Sequence, residues 1–351
     1  MNAQEIEPQD LALATRRSEF DVTNEVKTTD PAAVSGEVHR IYLELYPSGS
    51  PAVLNRAFAD CSRLYVGEHP GYHRCDTSYH DLQHVLDVTL AMARLMNGYE
   101  RSRDRSTPIG DRLFAFGIVT ALFHDIGYLR HRHDTRHRNG AEYTLKHVSR
   151  GARFLEQYMS EIGMADLAAV AGSIVHFTGY EVPVHEIEVP NLLFRMMGNM
   201  LGTADIIAQM ADRCYLEKCR DRLYPEFVAG GLASDGVRIA SRPTVLFHSA
   251  KELLTRTPNF YRTASLRLSE QLGAAYRYMQ RHFGGQNLYL DEVSKNVRYA
   301  ERIAEGGDMS LLRRNPPEIL ADTGALQVRR EPRHGAAGDP SEAALPAITT
   351  L

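Results

Sequence analysis

The sequence predicts an all-α fold, a single multi-helix bundle flanked by disordered polar tails. Apolar residues recur at three- and four-residue steps through most of the chain, which is the spacing of one face of an α-helix. No segment shows a convincing strand pattern or a glycine-rich phosphate loop. The 351 residues, 43% of them hydrophobic, are enough to build a sizeable core.

The domain organisation follows from where this periodicity begins and ends. Residues 1–34 are polar, with acids and bases intermixed, and are predicted to form a flexible leader. Residues 35–305 are predicted to form the helical domain. Residues 306–351 turn to arginine, proline, glycine and alanine without periodicity, which indicates a disordered tail.

Within the domain, each predicted helix rests on a local pattern. Helical spacing dominates from residue 36 to residue 95, with breakers at 47–51 and 67–72. The prolines of 181–190 disfavour helix at the residues before them, so this stretch is predicted to be an extended loop. The predicted longer helices cover residues 80–95, 110–123, 139–162, 165–177, 192–222, most of 241–281, and 291–304.

Composition excludes several classes of protein. The net charge is −4 and the basic residues are dispersed, so the sequence does not show the clustered positive charge that is typical of nucleic-acid-binding proteins. The polar N-terminus is not a secretory signal, and no apolar run approaches the roughly 18 residues of a membrane span. The four cysteines form no Cys-x-x-Cys pair, which fits a reducing compartment. We therefore expect a soluble cytoplasmic protein.

The first group of candidate site residues lies at the start of the predicted helix 80–95. His80 and His84 are four residues apart, so on a helix they share a face. Asp87 is placed to orient an imidazole through a hydrogen bond. The alternative interpretation is a pair of ordinary surface histidines, because a histidine pair alone is a weak motif.

A stronger signal is the pair His124-Asp125, which ends a long apolar run. Ionisable groups in apolar surroundings need compensation, and a metal ion suits an imidazole next to a carboxylate. Adjacent residues on a helix point about 100° apart, so both reach one ion only near a helix end. Gly127 provides that break.

A lone acid, Asp205, lies in a later apolar stretch. An unpaired buried carboxylate would lose its charge or destabilise the fold, which favours a role as a metal ligand. The alternative is an ion pair with a core-facing arginine. Gln209 and Asp212 share its predicted helical face, and we interpret them as structural.

Together these residues resemble the HD superfamily of metal-dependent phosphohydrolases, over about residues 79–225. The signature of that superfamily is a His, a His-Asp pair and a distant Asp on an all-helical core. The resemblance implies a metal site formed by His84, His124, Asp125 and Asp205. The catalytic residues would be His80 and Asp125, with Asp125 as a bridging carboxylate.

Residues 79–88 look most like the opening motif of class I cyclic nucleotide phosphodiesterases. This likeness implies that His84 binds metal and that His80 protonates the leaving oxygen. The chain departs from the family where Tyr128 stands in place of a further histidine. For the purine-binding glutamine and aromatic clamp of those enzymes, only Gln271, Gln280 and Phe283 are candidates.

A second metal would need further donors, which the segment 129–142 offers. Binuclear HD enzymes often place a histidine shortly before a Gly-Ala pair, and His137 precedes Gly140-Ala141. The other histidines of this segment are His131 and His133. His176 resembles a further ligand of some binuclear members. Alternatively the segment is a solvated loop whose arginines, including Arg132 and Arg136, attract a substrate phosphate.

The expected activity is hydrolysis of a small, nucleotide-like phosphoester, with a cyclic nucleotide among the candidates. One or two divalent ions would activate water for attack on phosphorus. Mixed His and carboxylate ligation suits Mn, Fe, Zn, Co or Ni, with Mg at an oxygen-rich second position. The alternatives are an HD-fold di-iron oxygenase and a non-catalytic nucleotide-binding regulator.

Overall fold

The structure is a computed structural model that describes residues 16–102, 107–234 and 246–318. These ranges are helical, as the sequence predicts, and their β-type pairing is limited to isolated bridges. The α-helices are α1 Pro31–Leu45, α2 Ala52–Tyr65, α3 Leu82–Glu100, α4 Gly110–Leu122, α5 His147–Glu161, α6 Ala168–Ile174, α7 Leu192–Ala211, α8 Tyr215–Lys218, α9 Tyr224–Ala229, α10 Ala250–Leu266, α11 Tyr278–His282 and α12 Leu288–Gly306. Short 3-10 turns and π turns connect several of them, among them Ile126–Tyr128, Gly140–Tyr143, Val175–Phe177, Cys219–Leu223 and Arg267–Gln271.

Helix α3 is the centre of the bundle. Every one of its residues except Asp87 is buried, as is typical of a helix enclosed by other helices. It packs against α1, α4, α7 and α11. The helix begins at Leu82 because the carboxylate of Asp81 accepts the backbone N–H of His84 at 3.0 Å and so caps the first turn.

The segment 139–162, predicted as one helix, is divided in the structure. Its first residues form the separate 3-10 turn Gly140–Tyr143, which Asn139 and Glu142 close with a capping box. Helix α5 begins only at His147. The division matters for the site because it brings His147 to a helix N-terminus instead of a helix interior.

The segment 192–222 also contains more than the single predicted helix. Helix α7 ends at Ala211, because Asp212 leaves helical geometry with φ −59° and ψ 126°. The carboxylate of Asp212 then accepts the N–H of Cys214 at 2.7 Å, which favours a turn over continued helix. The chain continues as α8, a π turn and α9.

Two other predicted segments can be compared with the structure. The extended loop predicted over 181–190 is irregular apart from one short 3-10 turn. In the predicted helical region 241–281, residues 241–245 lie outside the described residues. The remainder forms α10, a π turn, a 3-10 turn and α11, so the region is mostly helical but interrupted.

Of the predicted flexible leader, segment 1–34, the structure describes residues 16–34. Its first fifteen residues lie outside the described ranges. Arg16 is buried and forms an ion pair with Glu292 at 2.7 Å. Asp21 is buried against Arg94, with Nη2 and Oδ2 2.5 Å apart. Charged side chains of residues 16–34 thus form buried ion pairs with the bundle, and the flexibility of the leader stays a prediction.

The tail predicted over 306–351 also packs on the bundle in its first part. Arg314 donates to the side-chain oxygen of Asn296 at 3.0 Å, and its guanidinium lies 4.3 Å from the ring centre of Tyr299. Residues 319–351 lie outside the described residues. Among the helices of the described ranges, none combines the length and apolar character needed to cross a bilayer.

Candidate metal centre

His80 and His84 enter the site from the chain just before α3 and from its first turn. The sequence predicted one helix carrying both residues, whereas α3 begins at Leu82 and His80 precedes it. The two rings nevertheless lie close together, with centroids 5.6 Å apart. His84 is buried, while the His80 side chain keeps 18% of its surface exposed.

The pair His124-Asp125 lies directly after α4, where the helix has ended. Both residues are buried. The ring of His124 donates from Nδ1 to the carbonyl of Ala121 at 2.8 Å, which leaves Nε2 without a proton in the neutral imidazole. His124 Nε2 lies 3.3 Å from Asp125 Oδ2. Because regular helix has stopped, the two adjacent side chains can approach the same point.

Asp205 of α7 completes the cluster. Its Oδ1 lies 3.4 Å from His84 Nε2 and 3.9 Å from His124 Nε2. His84 Nε2 is also 3.4 Å from Asp125 Oδ2. One donor atom from each of His84, His124 and Asp205 falls within 4.8 Å of the others. Ligands at 2.0–2.2 Å from one cation have separations of this order.

Two atoms at the centre of this cluster have no hydrogen-bond partner among the residues that the structure describes. They are His124 Nε2 and Asp125 Oδ2, and both are buried. Buried polar atoms are normally satisfied, and leaving one unpaired is costly. A divalent cation would satisfy both atoms at once, so the donor set fits a metal ion.

The electrostatics of the cluster also favour a cation. Burial lowers the pKa of His84, but Asp125 and Asp205 outweigh this effect and raise it to about 10. Burial likewise opposes charge on His124, yet the same carboxylates raise its pKa. Burial raises the pKa of Asp125, whereas the neighbouring imidazoles bring it well below its usual value. The carboxylates therefore favour a positive charge at this point, and a metal ion would compete with protons for the imidazole nitrogens.

His147, at the start of α5, is a site residue that the sequence analysis missed. Its Nε2 lies 3.4 Å from Asp125 Oδ1, the carboxylate oxygen not turned towards His84 and His124. Its Nδ1 hydrogen-bonds to the carbonyl of Thr144 at 2.7 Å, and burial lowers its pKa. A neutral imidazole with a free Nε2 therefore faces the outer oxygen of Asp125.

A sequence signal for His147 did exist. His147 precedes the pair Gly151-Ala152 by four residues, which is the kind of pattern that the sequence analysis applied to His137. In the structure His137 forms an ion pair with Asp134 at 3.0 Å. His137 forms no ion pair with either site carboxylate among the described residues, so His147 is the better candidate.

The remaining predicted donors have other neighbours. The ring of His131 contacts Tyr72 in a tilted arrangement and stacks with His133, with ring centroids 4.4 and 5.0 Å apart. Arg132 donates to the carbonyl of Gly67 at 3.0 Å and is exposed. Arg136 is exposed, and His176 has a buried Nδ1 without a partner. Within the described residues, no contact joins His131, Arg132, Arg136 or His176 to Asp125 or Asp205.

The side chain facing His80 is another residue that the sequence did not reveal. Glu226 of α9 is buried, and one of its oxygens is hydrogen-bonded to Nδ1 of His80. Its other oxygen accepts the backbone N–H groups of Tyr79 and His80 at 2.8 and 3.3 Å. Glu226 therefore fixes both the ring and the backbone of His80. Burial opposes charge on His80, but Glu226 raises its pKa overall.

Tyr128 lies between the two partly exposed histidines. Its ring stacks on His80 with centroids 4.5 Å apart and on His147 with centroids 4.3 Å apart. The interplanar angles are 17° and 20°. Tyr128, which departs from the phosphodiesterase pattern, thus packs against both His80 and His147 and restricts the orientation of their rings.

Behind His84 lies a small polar cavity lined by Asp87, Gln209, Asp212 and neighbouring residues. Asp212 pairs with Lys218 at 2.5 Å, and Gln209 accepts the Tyr79 hydroxyl at 3.3 Å, which supports the structural role expected of both. Burial raises the pKa of Asp87 to about 7.

Comparison of the chain with protein-family models, with curated proteins and with solved structures found no match.

Proposed function

We propose that this protein is an HD-type, divalent-metal-dependent phosphohydrolase that acts on a nucleotide-like phosphoester. The observation that carries the proposal is the convergence of His84, His124, Asp125 and Asp205, with two buried donor atoms at its centre left unpaired. The chain order of these residues matches the superfamily signature described above.

The proposed site would hold one ion and a second ion beside it. His84, His124 and Asp205 would hold the first ion together with Asp125 Oδ2. Asp125 Oδ1 and His147 would hold the second, so Asp125 would bridge the two. Divalent ions in these positions would lower the pKa of bound water and neutralise the phosphate charge.

His80 is suited to protonate the leaving oxygen. It is partly exposed beside the cluster, and its raised pKa favours the protonated form that a general acid needs. Glu226 accepts from Nδ1, which leaves Nε2 as the nitrogen that would donate to the substrate. Tyr128 limits rotation of the ring by stacking.

We extend the proposal to the substrate, the metal and the cellular compartment. His80, His147 and Asp205 are the partly exposed side chains of the cluster. A small phosphoester would reach a cation bound beside them. The ligand types suit Mn, Fe, Zn, Co or Ni, with Mg in the more oxygen-rich position. We place the protein in the cytoplasm, because the four cysteines are free thiols in the described residues.

The test is metal analysis and phosphoester hydrolysis by purified variants. The wild-type protein should hydrolyse bis-para-nitrophenyl phosphate when supplied with a divalent metal. His124→Ala and Asp125→Ala should abolish both metal loading and hydrolysis. His80→Ala should retain the metal and lose about 10²–10⁴-fold in turnover, the usual contribution of a general acid.

His185→Ala is the matched control, because His185 is exposed with 82% of its side-chain surface accessible. It should behave as wild type in both assays. Full activity of Asp125→Ala would contradict the proposal. Bound iron with oxygen consumption, but no hydrolysis of any phosphoester, would assign the cluster to a di-iron oxygenase instead.

A further inference from the structure

Helix α5, which begins with His147, is capped by a carboxylate from a distant loop. Its own N-cap residue, Lys146, makes no side-chain capping bond. Instead Glu181 Oε1 accepts the N–H of Val148 at 3.1 Å, and Oε2 accepts the N–H of Ser149 at 3.2 Å. The hydroxyl of Ser149 also donates to Oε2. Glu181 therefore satisfies backbone donors that the first turn of a helix leaves free.

This cap is made at Val148 and Ser149, the residues that follow His147, whose imidazole faces Asp125. His147 is adjacent in sequence to the first capped residue, so a change in the first turn of α5 moves its ring relative to Asp125 Oδ1. The negative charge of Glu181 also interacts favourably with the positive, N-terminal end of the α5 dipole.

The loop that carries Glu181 is held by Arg267 as well as by its contact with α5. The buried Arg267 donates to the carbonyls of Phe177 and Gly179 at 2.8 and 2.6 Å. Gly179 packs against the first turn of α5, since a Cβ there would lie 2.7 Å from the side chain of Val148. Glu181 is thus an anchored cap.

We propose that Glu181 is a positioning residue for the second metal position, which it serves by fixing the N-terminus of α5 and thereby His147. This inference rests on the proposed function, because it assumes that Asp125 and His147 bind an ion. Groups that orient a metal ligand typically alter metal affinity about 10–100-fold when they are removed. The first metal position, formed from α3, the end of α4 and α7, should not depend on Glu181.

The experiment is a titration of the metal-free, full-length protein with Mn²⁺, with the free ion measured by electron paramagnetic resonance. The wild-type protein should bind two ions. In Glu181→Gln the affinity of the second ion should fall about 10-fold or more, while the affinity of the first ion stays within about twofold. Glu188→Gln is the matched control, since Glu188 is exposed on the same loop, and it should match wild type.

Ser149→Ala is a second variant that removes only one bond to Glu181. It should weaken the second ion roughly threefold, the effect of losing one modest hydrogen bond, and it keeps the test decisive if Glu181→Gln does not fold. Thermal melts of the metal-free proteins measure any general loss of stability. A purely structural role would lower the melting temperature and weaken both ions equally, which would overturn the inference.

The remaining outcomes separate this inference from the proposed function. Two ions bound with unchanged affinity in Glu181→Gln and Ser149→Ala would overturn the role of Glu181 alone. A wild-type protein that binds one ion and hydrolyses phosphoesters would overturn the second metal position. A wild-type protein that binds no ion would overturn both the inference and the proposed function.

Discussion

The proton that His80 would deliver depends on the carboxylate of Glu226. Glu226 raises the pKa of His80 against the opposing effect of burial. A general acid acts in its protonated form, so a raised pKa extends activity to higher pH. In Glu226→Gln the pKa of His80 should fall, and the basic limb of the kcat profile should move to lower pH.

This prediction is checked by pH–rate profiles of the metal-loaded wild-type and variant proteins on one phosphoester. Glu188→Gln, on an exposed loop position, serves as the control and should leave the profile unchanged. Metal content should be the same in all three proteins. A basic limb at the same pH in Glu226→Gln would exclude Glu226 as the partner that sets the protonation of His80.

The sequence predicted the central residues of the cluster but not those that support them. His84, the His124-Asp125 pair and Asp205 stand out because ionisable groups interrupt apolar segments, and the structure brings them together. His147 and Glu226 lie in ordinary amphipathic or polar segments. Their position in the site depends on how α5 and α9 fold back onto α3, which local periodicity does not encode.

At the level of elements, the site depends on the close approach of α5 to the turn after α4. Gly127 lies in that turn, and a Cβ there would be only 1.8 Å from the carbonyl oxygen of His147. The sequence predicted Gly127 as a helix breaker. Its second function is to leave room for the backbone of α5, and that reason becomes visible only in the packed structure.

Gly127→Ala should therefore separate the His124-Asp125 turn from His147. Overpacking of this kind costs about 1–3 kcal/mol, and backbone atoms cannot move aside cheaply. We expect a loss of about 3 kcal/mol in the free energy of unfolding, measured by urea denaturation of the metal-free protein. Gly36→Ala is the matched control, because no atom lies within 4 Å of a Cβ there.

The two substitutions should act in opposite directions. Gly36 lies within α1 and is exposed, so alanine should stabilise the protein by about 0.5–1 kcal/mol through the lower backbone entropy of the unfolded chain. Equal stability of Gly127→Ala and wild type would show that the turn and α5 do not approach as closely as described here.

The helices themselves were predicted more reliably than their ends. Apolar periodicity identifies α3, α4, α7 and α12, since each buries a wide face in the core. The ends depend on polar contacts made across the fold. Asp212 turns the chain after α7 by accepting the N–H of Cys214, and Glu181 allows α5 to begin at His147.

For the molecule as a whole, the segment before α1 belongs to the folded core. Arg94 of the central helix has only 2% of its side-chain surface exposed, and its charge is balanced by Asp21 at 2.5 Å. The same guanidinium donates to the hydroxyl of Tyr289 in α12 at 3.1 Å. One buried cation thus joins the N-terminal segment, the centre of the bundle and the last helix.

Removing one partner of this pair should destabilise the entire fold. Asp21→Ala leaves the Arg94 cation buried without its counter-ion, a change that typically costs about 3–5 kcal/mol. Asp166→Ala is the control, because Asp166 forms an exposed ion pair with Arg112, and it should change the free energy of unfolding very little. Urea denaturation at pH 7 compares the three proteins.

The pH dependence gives this prediction a defined sign. Burial raises the pKa of Asp21, but Arg94 and several hydrogen bonds lower it below the ordinary value of 3.8. The stabilisation from ionised Asp21 is therefore fully present above the pKa of the unfolded chain, about 3.9. It is lost as the pH falls through the lower, folded-state pKa. The difference in the free energy of unfolding between wild type and Asp21→Ala should be constant from about pH 5 to 7 and should shrink below about pH 4. If the difference persisted unchanged at still lower pH, the carboxylate charge of Asp21 would not be what stabilises this contact.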